Sequence, residues 1–152
     1  MSDRPEVSDD AVAGREPGTD VLRGQGAAVA AVALGGVLGA LARWGLGLAF
    51  PTTSGAFPTT TLLINVSGCL LMGVLVVHVS EVRTAHPVVR PFLGVGVLGG
   101  YTTFSTFAVD AQQLLAAGRL GTALAYLAAT TVGSVGAAWL GLTLARATAG
   151  AR

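Results

Sequence analysis

Four apolar stretches, each close to the roughly 20 residues a membrane helix needs, dominate the pattern along the chain. They run from about Gly26 to Phe50, Thr59 to Val79, Val88 to Ala117 and Gly121 to Ala145. Short punctuated loops part them: Pro51-Thr52-Thr53-Ser54-Gly55, then Glu81 to Pro87 with its charges and proline, then Gly118-Arg119. A soluble bundle would show a polar face on each helix, and these segments show none. The pattern predicts an all-α membrane protein of four transmembrane helices. It divides the chain into a tail at 1–24, a transmembrane domain at 25–147 and a short C-terminal tail at 148–152.

Composition agrees, since 52% of residues are hydrophobic and only 11% charged, against about a quarter charged in ordinary soluble domains. Six of the eight acids lie in the first twenty residues, where Pro5, Pro17 and little apolar content predict a disordered acidic tail. With no basic region ahead of a short apolar core, that tail does not read as a signal peptide. Past Asp20 the acids are Glu81 and Asp110, set against seven arginines and no lysine. Those arginines stand singly between apolar runs, so the excess does not point to nucleic acid.

Several tempting motifs fail on context. Gly94-Val-Gly-Val-Leu-Gly99 spells GxGxxG, but it follows Arg90-Pro91 inside an apolar span, with no strand ahead of it. Asn65-Val-Ser67 spells a glycosylation sequon within the second span. His78 and His86 flank a loop without a second cluster of metal ligands. Cys69 is single and reads as a packing residue, and no nucleophile has a catalytic partner, so no enzymatic chemistry is expected. Gly35 and Gly39 form a GxxxG, joined by Gly68, Gly73, Gly133 and Gly136 at helix-packing spacing.

Polar residues at membrane depth are expensive and tend to mark a pathway. Arg43, late in the first span, fits either snorkelling beside Trp44 or a buried role. Asn65, early in the second, fits either interhelical glue or an amide that donates into a pathway. The third span is the most telling. Gly96, Gly99 and Gly100 disfavour a continuous helix, and Tyr101-Thr-Thr-Phe-Ser-Thr-Phe107 follows at its middle. Non-helical backbone survives there only where protein or a cavity satisfies it. A break exposes free carbonyls, which suit a cation, and free N–H groups, which with the hydroxyls suit an anion. Phe104 and Phe107 share a helix face. Tyr126, Thr130 and Ser134 form one stripe on the fourth span, read as either interhelical bonding or a second wall of the path.

Three segments together resemble the Fluc (CrcB) fluoride channels. They are Gly35-Gly-Val-Leu-Gly-Ala-Leu-Ala-Arg43-Trp, Thr61-Leu-Leu-Ile-Asn65-Val-Ser-Gly68 and Gly96-Val-Leu-Gly-Gly-Tyr-Thr-Thr-Phe-Ser-Thr-Phe107. The resemblance implies an antiparallel, dual-topology dimer that encloses two narrow fluoride paths in the cell membrane. It implies a structural Na+ on the backbone carbonyls of Gly99 and Thr102. Phe104 and Phe107, with Ser105 and Thr106 between them, would line the path. Asn65 would be its amide, Thr130 and Ser134 its fourth-helix polar track, and Arg43 the first-helix arginine. Fluoride is small and strongly hydrated, so a dry path must replace its water with closely placed donors. The membrane potential would then drive the ion out passively.

One feature departs from that pattern. With the N-terminus inside, Arg23, Arg83, Arg90, Arg146 and Arg152 fall on the cytoplasmic side, with Arg119 and Arg43 opposite. Such a bias predicts one preferred orientation, and so an oppositely oriented homologous partner, with the homodimer as the alternative. The rival readings are a small four-helix multidrug or cation exporter and a non-transporting membrane scaffold. An exporter needs a carboxylate deep in its first span, which has none, and a scaffold leaves the hydroxyl and phenylalanine run without a purpose.

Overall fold

The computed structural model describes residues 25–53, 55–82 and 88–150. The expected tail at 1–24 and Arg23, Arg83, His86 and Arg152 lie outside the described residues. Five helical segments make up the four spans. They are α1 (Gly26–Ala49), α2 (Thr59–Val77, continued by a wider π turn, His78–Val82), α3, α4 (Phe104–Ala116) and α5 (Leu120–Gly150). α3 opens as a π-helix over Pro91–Leu98 and runs directly into one α-helical turn, Gly99–Tyr101. Four stretches, Gly26–Ala49, Thr59–Ser80, Pro91–Ala116 and Leu120–Ala149, are long and apolar enough to cross a membrane. At about 1.5 Å per residue each exceeds the ~30 Å hydrocarbon thickness or comes within a few ångströms of it.

The last helix is longer than the sequence pattern suggests. α5 continues through Gly150, so residues 148–150 extend the fourth helix rather than open the expected tail. The alanines there sustain helix as well as apolar residues do, and apolarity alone underestimates its length. At the other end of the third span, Gly118 adopts φ +71°. Its N–H donates to Leu115 O and that of Arg119 to Leu114 O, both at 2.9 Å. This left-handed cap needs glycine, and it turns the chain sharply from α4 into α5.

Helix packing follows the small residues. A Cβ on Gly35 or Gly39 would overlap the carbonyls of Phe92 or Val97, and one on Gly100 would meet Gly36 at 3.0 Å or less. α1 and α3 thus run parallel with their backbones in contact, the expected GxxxG sealed by Gly96 and Gly100. α2 and α5 also run parallel, with Gly73 against the Ala138 carbonyl and Gly141 against that of Leu70. Gly136 faces open space. These two close pairs are the main interfaces, while α1 and α2 touch only slightly. In lipid such close approach supplies the association that hydrophobicity cannot.

Leucines and valines such as Leu34, Leu38, Val132 and Val135 cover the outside, as a lipid-facing surface requires. Arg90 and Arg146 fall at one end of the bundle, and Arg119 at the other.

Candidate functional site

The third span is interrupted at Thr102 and Thr103, the middle of the 26-residue stretch Pro91–Ala116. Both residues are extended, Thr102 at φ −72°, ψ 157° and Thr103 at φ −147°, ψ 125°. The two halves of the span have different partners. α3 lies on α1, whereas α4 lies chiefly on α5.

An interruption of this kind must satisfy the backbone groups it frees. Asn65, buried on α2, does so from both sides of its amide. Its Nδ2 donates to Thr103 O at 3.0 Å, and its Oδ1 accepts the Thr103 N–H at 2.8 Å. Thr103 is itself 8% exposed and caps α4, its hydroxyl accepting the Thr106 N–H at 3.1 Å and donating to Thr106 Oγ1 at 3.0 Å. Ser105 Oγ lies 3.3 Å from the same hydroxyl. Above the break, the Thr102 N–H and hydroxyl both donate to Leu98 O at 3.0 Å. Tyr101 OH meets Ser67 Oγ at 3.0 Å. Gly68 leaves room for Thr102 Cγ2 and the Tyr101 ring, since a Cβ there would strike both.

These bonds redirect the helix's own donors. In an unbroken helix the Thr103 N–H would bond Gly99 O, and the Thr106 N–H would bond Thr102 O. Here the first goes to Asn65 and the second to the Thr103 hydroxyl. The carbonyls of Gly99 and Thr102 are therefore released together, and Gly99 is exposed. Both are oxygen donors, the ligand type that a hard cation takes. The Gly100 carbonyl between them instead accepts from Arg43 Nε at 3.2 Å. Of its two sequence readings, Arg43 therefore takes the inward one, bracing α1 against the end of α3.

A polar cavity of about 200 Å³ adjoins the break, lined among others by Arg43, Thr52, Thr60, Thr61, Thr103 and Thr106. A guanidinium and five hydroxyl side chains converge there. Thr60, Thr61 and Thr103 donate to Phe50 O, Asp110 and Thr106. The Arg43 guanidinium with the hydroxyls of Thr52 and Thr106 is therefore the set that can replace water around an anion.

The rings lie beside it in a row. Phe104 and Phe107 have centroids 5.8 Å apart, and Phe107 and Tyr126 5.3 Å. Phe104 is 80% exposed in the single chain. Tyr126 is fully buried and its hydroxyl donates to Asp110 Oδ2 at 3.2 Å. The same oxygen accepts from Thr61 at 2.7 Å. Thr130, one turn beyond Tyr126, is 5% exposed, and its hydroxyl has no hydrogen-bond partner among the described residues. Ser134 follows, half-buried.

Of the residues expected from sequence, the structure gathers Arg43, Asn65, Gly99, Thr102, Ser105 and Thr106 around the break, and pairs Phe104 with Phe107. Thr130 and Ser134 lie apart on α5, without a hydrogen bond to the break. Sequence reasoning missed Thr103 as the residue clasped, Thr61 as the partner of Asp110, and Phe57. A threonine immediately before a helix start was the available signal for Thr103. The partners of Asp110 are 49 and 16 residues away, and no local pattern marks them. His78 bonds the Val74 carbonyl through Nδ1 at 3.0 Å. Among the described residues no cluster of His, Cys, Asp or Glu could hold a metal.

Residues 30–142 match the protein family described as CrcB-like protein, Camphor Resistance (CrcB). Fluoride-specific ion channel FluC 1 of Streptomyces coelicolor is 53% identical over 130 residues, 86% of this chain and 84% of that protein. Fluoride-specific ion channel FluC 2 of Streptomyces avermitilis is 58% identical over 107 residues, 70% and 68% of the two chains. Fluoride-specific ion channel FluC of Paracoccus denitrificans is 43% identical over 115 residues, 76% and 91%. The matched region spans α1 to the greater part of α5 and includes every residue of the break, so this chain belongs to the CrcB-like family.

Proposed function

We infer that the chain is one subunit of a fluoride channel, a non-enzymatic membrane protein that lowers cytoplasmic fluoride by passive efflux. The observation that carries this reading is the break at Thr102–Thr103, held open by both faces of the Asn65 amide. A clasp of this kind fixes non-helical backbone at mid-span, where lipid would otherwise force a continuous helix. The relatives' shared description as fluoride-specific channels agrees with it. Asn65, Ser105, Thr106, Phe104 and Phe107 line the path, Thr130 and Ser134 extend it along α5, and Arg43 braces it. The positive ring edges and the hydroxyls act on fluoride, replacing part of its hydration.

The working unit is an antiparallel dimer with two such paths. Two carbonyls from one chain are too few for a hard cation, which takes six or more oxygens. The carbonyls of Gly99 and Thr102, doubled by a second subunit, would hold a structural Na+ at the dimer centre, with other oxygens completing its shell. That ion would fix the two breaks against each other. The exposed Gly99 and Phe104 lie where a partner would cover them. The arginine bias favours one insertion direction, so the partner is a homologous chain of opposite orientation, with an inverted copy as the alternative. The exporter alternative gains nothing here, because Asp110 is already engaged by Thr61 and Tyr126.

The test is fluoride efflux from liposomes holding the purified chain, with chloride as the comparison. Selective fluoride efflux is expected, and efflux from this chain alone would make the homodimer sufficient. Absence of fluoride flux, alone and with an oppositely oriented homologue, would overturn the channel reading.

A further inference from the structure

The geometry points to Phe57, in the loop between α1 and α2, as a positioning residue for the aromatic path. This rests on the channel reading above but concerns a residue that touches neither the break nor the polar cavity. Phe57 and Tyr126 have ring centroids 5.6 Å apart at an interplanar angle of 88°, an edge-to-face contact. The row of rings is therefore four long: Phe57, Tyr126, Phe107, Phe104. Tyr126 is its keystone. Its hydroxyl is tied to Asp110, while small residues, Ala111 and Ala123, stand among the buried neighbours of its ring. Leu114, Leu62 and Leu127 pack in the same cluster, but Phe57 and Phe107 are the two rings in contact with Tyr126, and they set its tilt.

The loop is built to deliver that ring. Gly55 takes φ +75°, which a side chain would strain. The Ala56 N–H closes a turn on Thr53 O at 2.9 Å, and the Thr59 N–H closes a tighter one on Phe57 O at 2.8 Å. Pro58 is buried behind it, and the Thr60 hydroxyl ties the loop's far end to Phe50 O. Each constraint has one end within three residues of Phe57. Phe57 fixes Tyr126, Tyr126 fixes Phe107 and the Asp110 carboxylate, and so the loop sets the geometry of a path it does not line.

The experiment compares Phe57→Leu and Phe57→Tyr with the unaltered chain in two readouts. One is the ratio of fluoride to chloride efflux from liposomes. The other is the NMR spectrum of chain labelled at tyrosine, of which there are two, Tyr101 and Tyr126. Phe57→Leu should lower the flux ratio by roughly three- to tenfold, the factor an edge-on aromatic contact is worth. It should also shift or broaden the Tyr126 ring signal while leaving Tyr101 in place. Phe57→Tyr, which keeps the ring, should restore both. An unmoved Tyr126 signal overturns the proposal, whether or not the chain conducts, and so separates this failure from failure of the channel reading. Equal impairment by both variants would overturn it too, as would loss of assembly in Phe57→Leu, which would make Phe57 a folding residue.

Discussion

Replacing Asn65 by aspartate changes one nitrogen to oxygen and tests the break directly. The carboxylate can still accept the Thr103 N–H now held at 2.8 Å, but it has no proton for Thr103 O at 3.0 Å. Two oxygens then face each other at hydrogen-bond distance. Leaving a buried carbonyl unpaired costs about 1–3 kcal/mol, though membrane hydrogen bonds average nearer 0.6 kcal/mol. The added charge matters more for permeation. A carboxylate about 6 Å from a permeating anion, at an effective dielectric near 20, repels it by about 3 kcal/mol, or roughly a hundredfold in occupancy.

Fluoride efflux from liposomes, corrected for protein-free vesicles, should therefore fall further in Asn65→Asp than in Asn65→Ala, which loses the clasp without gaining charge. Size-exclusion profiles should show both still assembled. Acidification from about pH 7.5 to 5.5 should recover part of the flux in Asn65→Asp alone. A carboxyl that takes up a proton is neutral and regains a donor for Thr103 O. Equal losses in the aspartate and alanine variants would refute the electrostatic part. Unchanged flux in Asn65→Asp would remove Asn65 from the path altogether.

Gly39→Val should abolish folded protein, because even its Cβ would overlap the Val97 carbonyl, whereas Gly47→Ala meets nothing within 4 Å and should melt within a few degrees of the unaltered chain. Thermal unfolding in detergent distinguishes them, and comparable melting of the two would refute the α1–α3 contact. Phe104→Ile should cut fluoride efflux roughly three- to tenfold through loss of the ring edge and leave the fold of the single chain intact, since Phe104 is 80% exposed there. Undiminished efflux would take Phe104 out of the path.

The four spans were legible because apolar length is a direct statement about lipid, and the GxxxG at Gly35 and Gly39 because close backbone approach demands glycine. An interruption of the third span was legible too, from glycines followed by hydroxyls. Gly96, Gly99 and Gly100, expected to disfavour helix, nevertheless stay helical, and the interruption falls after them at Thr102–Thr103. Its mechanism was not legible. Asn65 and Thr103 are 38 residues apart, and nothing local tells which of two adjacent threonines the amide will hold. The π winding of Pro91–Leu98 escaped for another reason. Glycine spacing permits five-residue hydrogen bonding, such as that of the Gly99 N–H to Gly94 O, but does not require it. Phe57 escaped because a ring beside a proline reads as loop punctuation until its partner, Tyr126, is in view. The length of α5 escaped because alanine-rich helix outlasts the apolar signal.

The pairing of α1 with α3 and of α2 with α5 also dictates an order of events during synthesis. The first pair can close once the third span has begun to enter the bilayer. The glycine face of α2 must wait for α5, so Gly73 meets Ala138 only once that helix has been made. Until then α4, on the far side of the break, also lacks its main neighbour, because that neighbour is α5 as well. Insertion and packing are separable stages for membrane helices, and here the second stage has its own last step. The C-terminal helix locks both α2 and the second half of the interrupted span, so a chain truncated within α5 would present an insertion product with half its joints open. Emergence of α5 and closure of the bundle are in effect the same event.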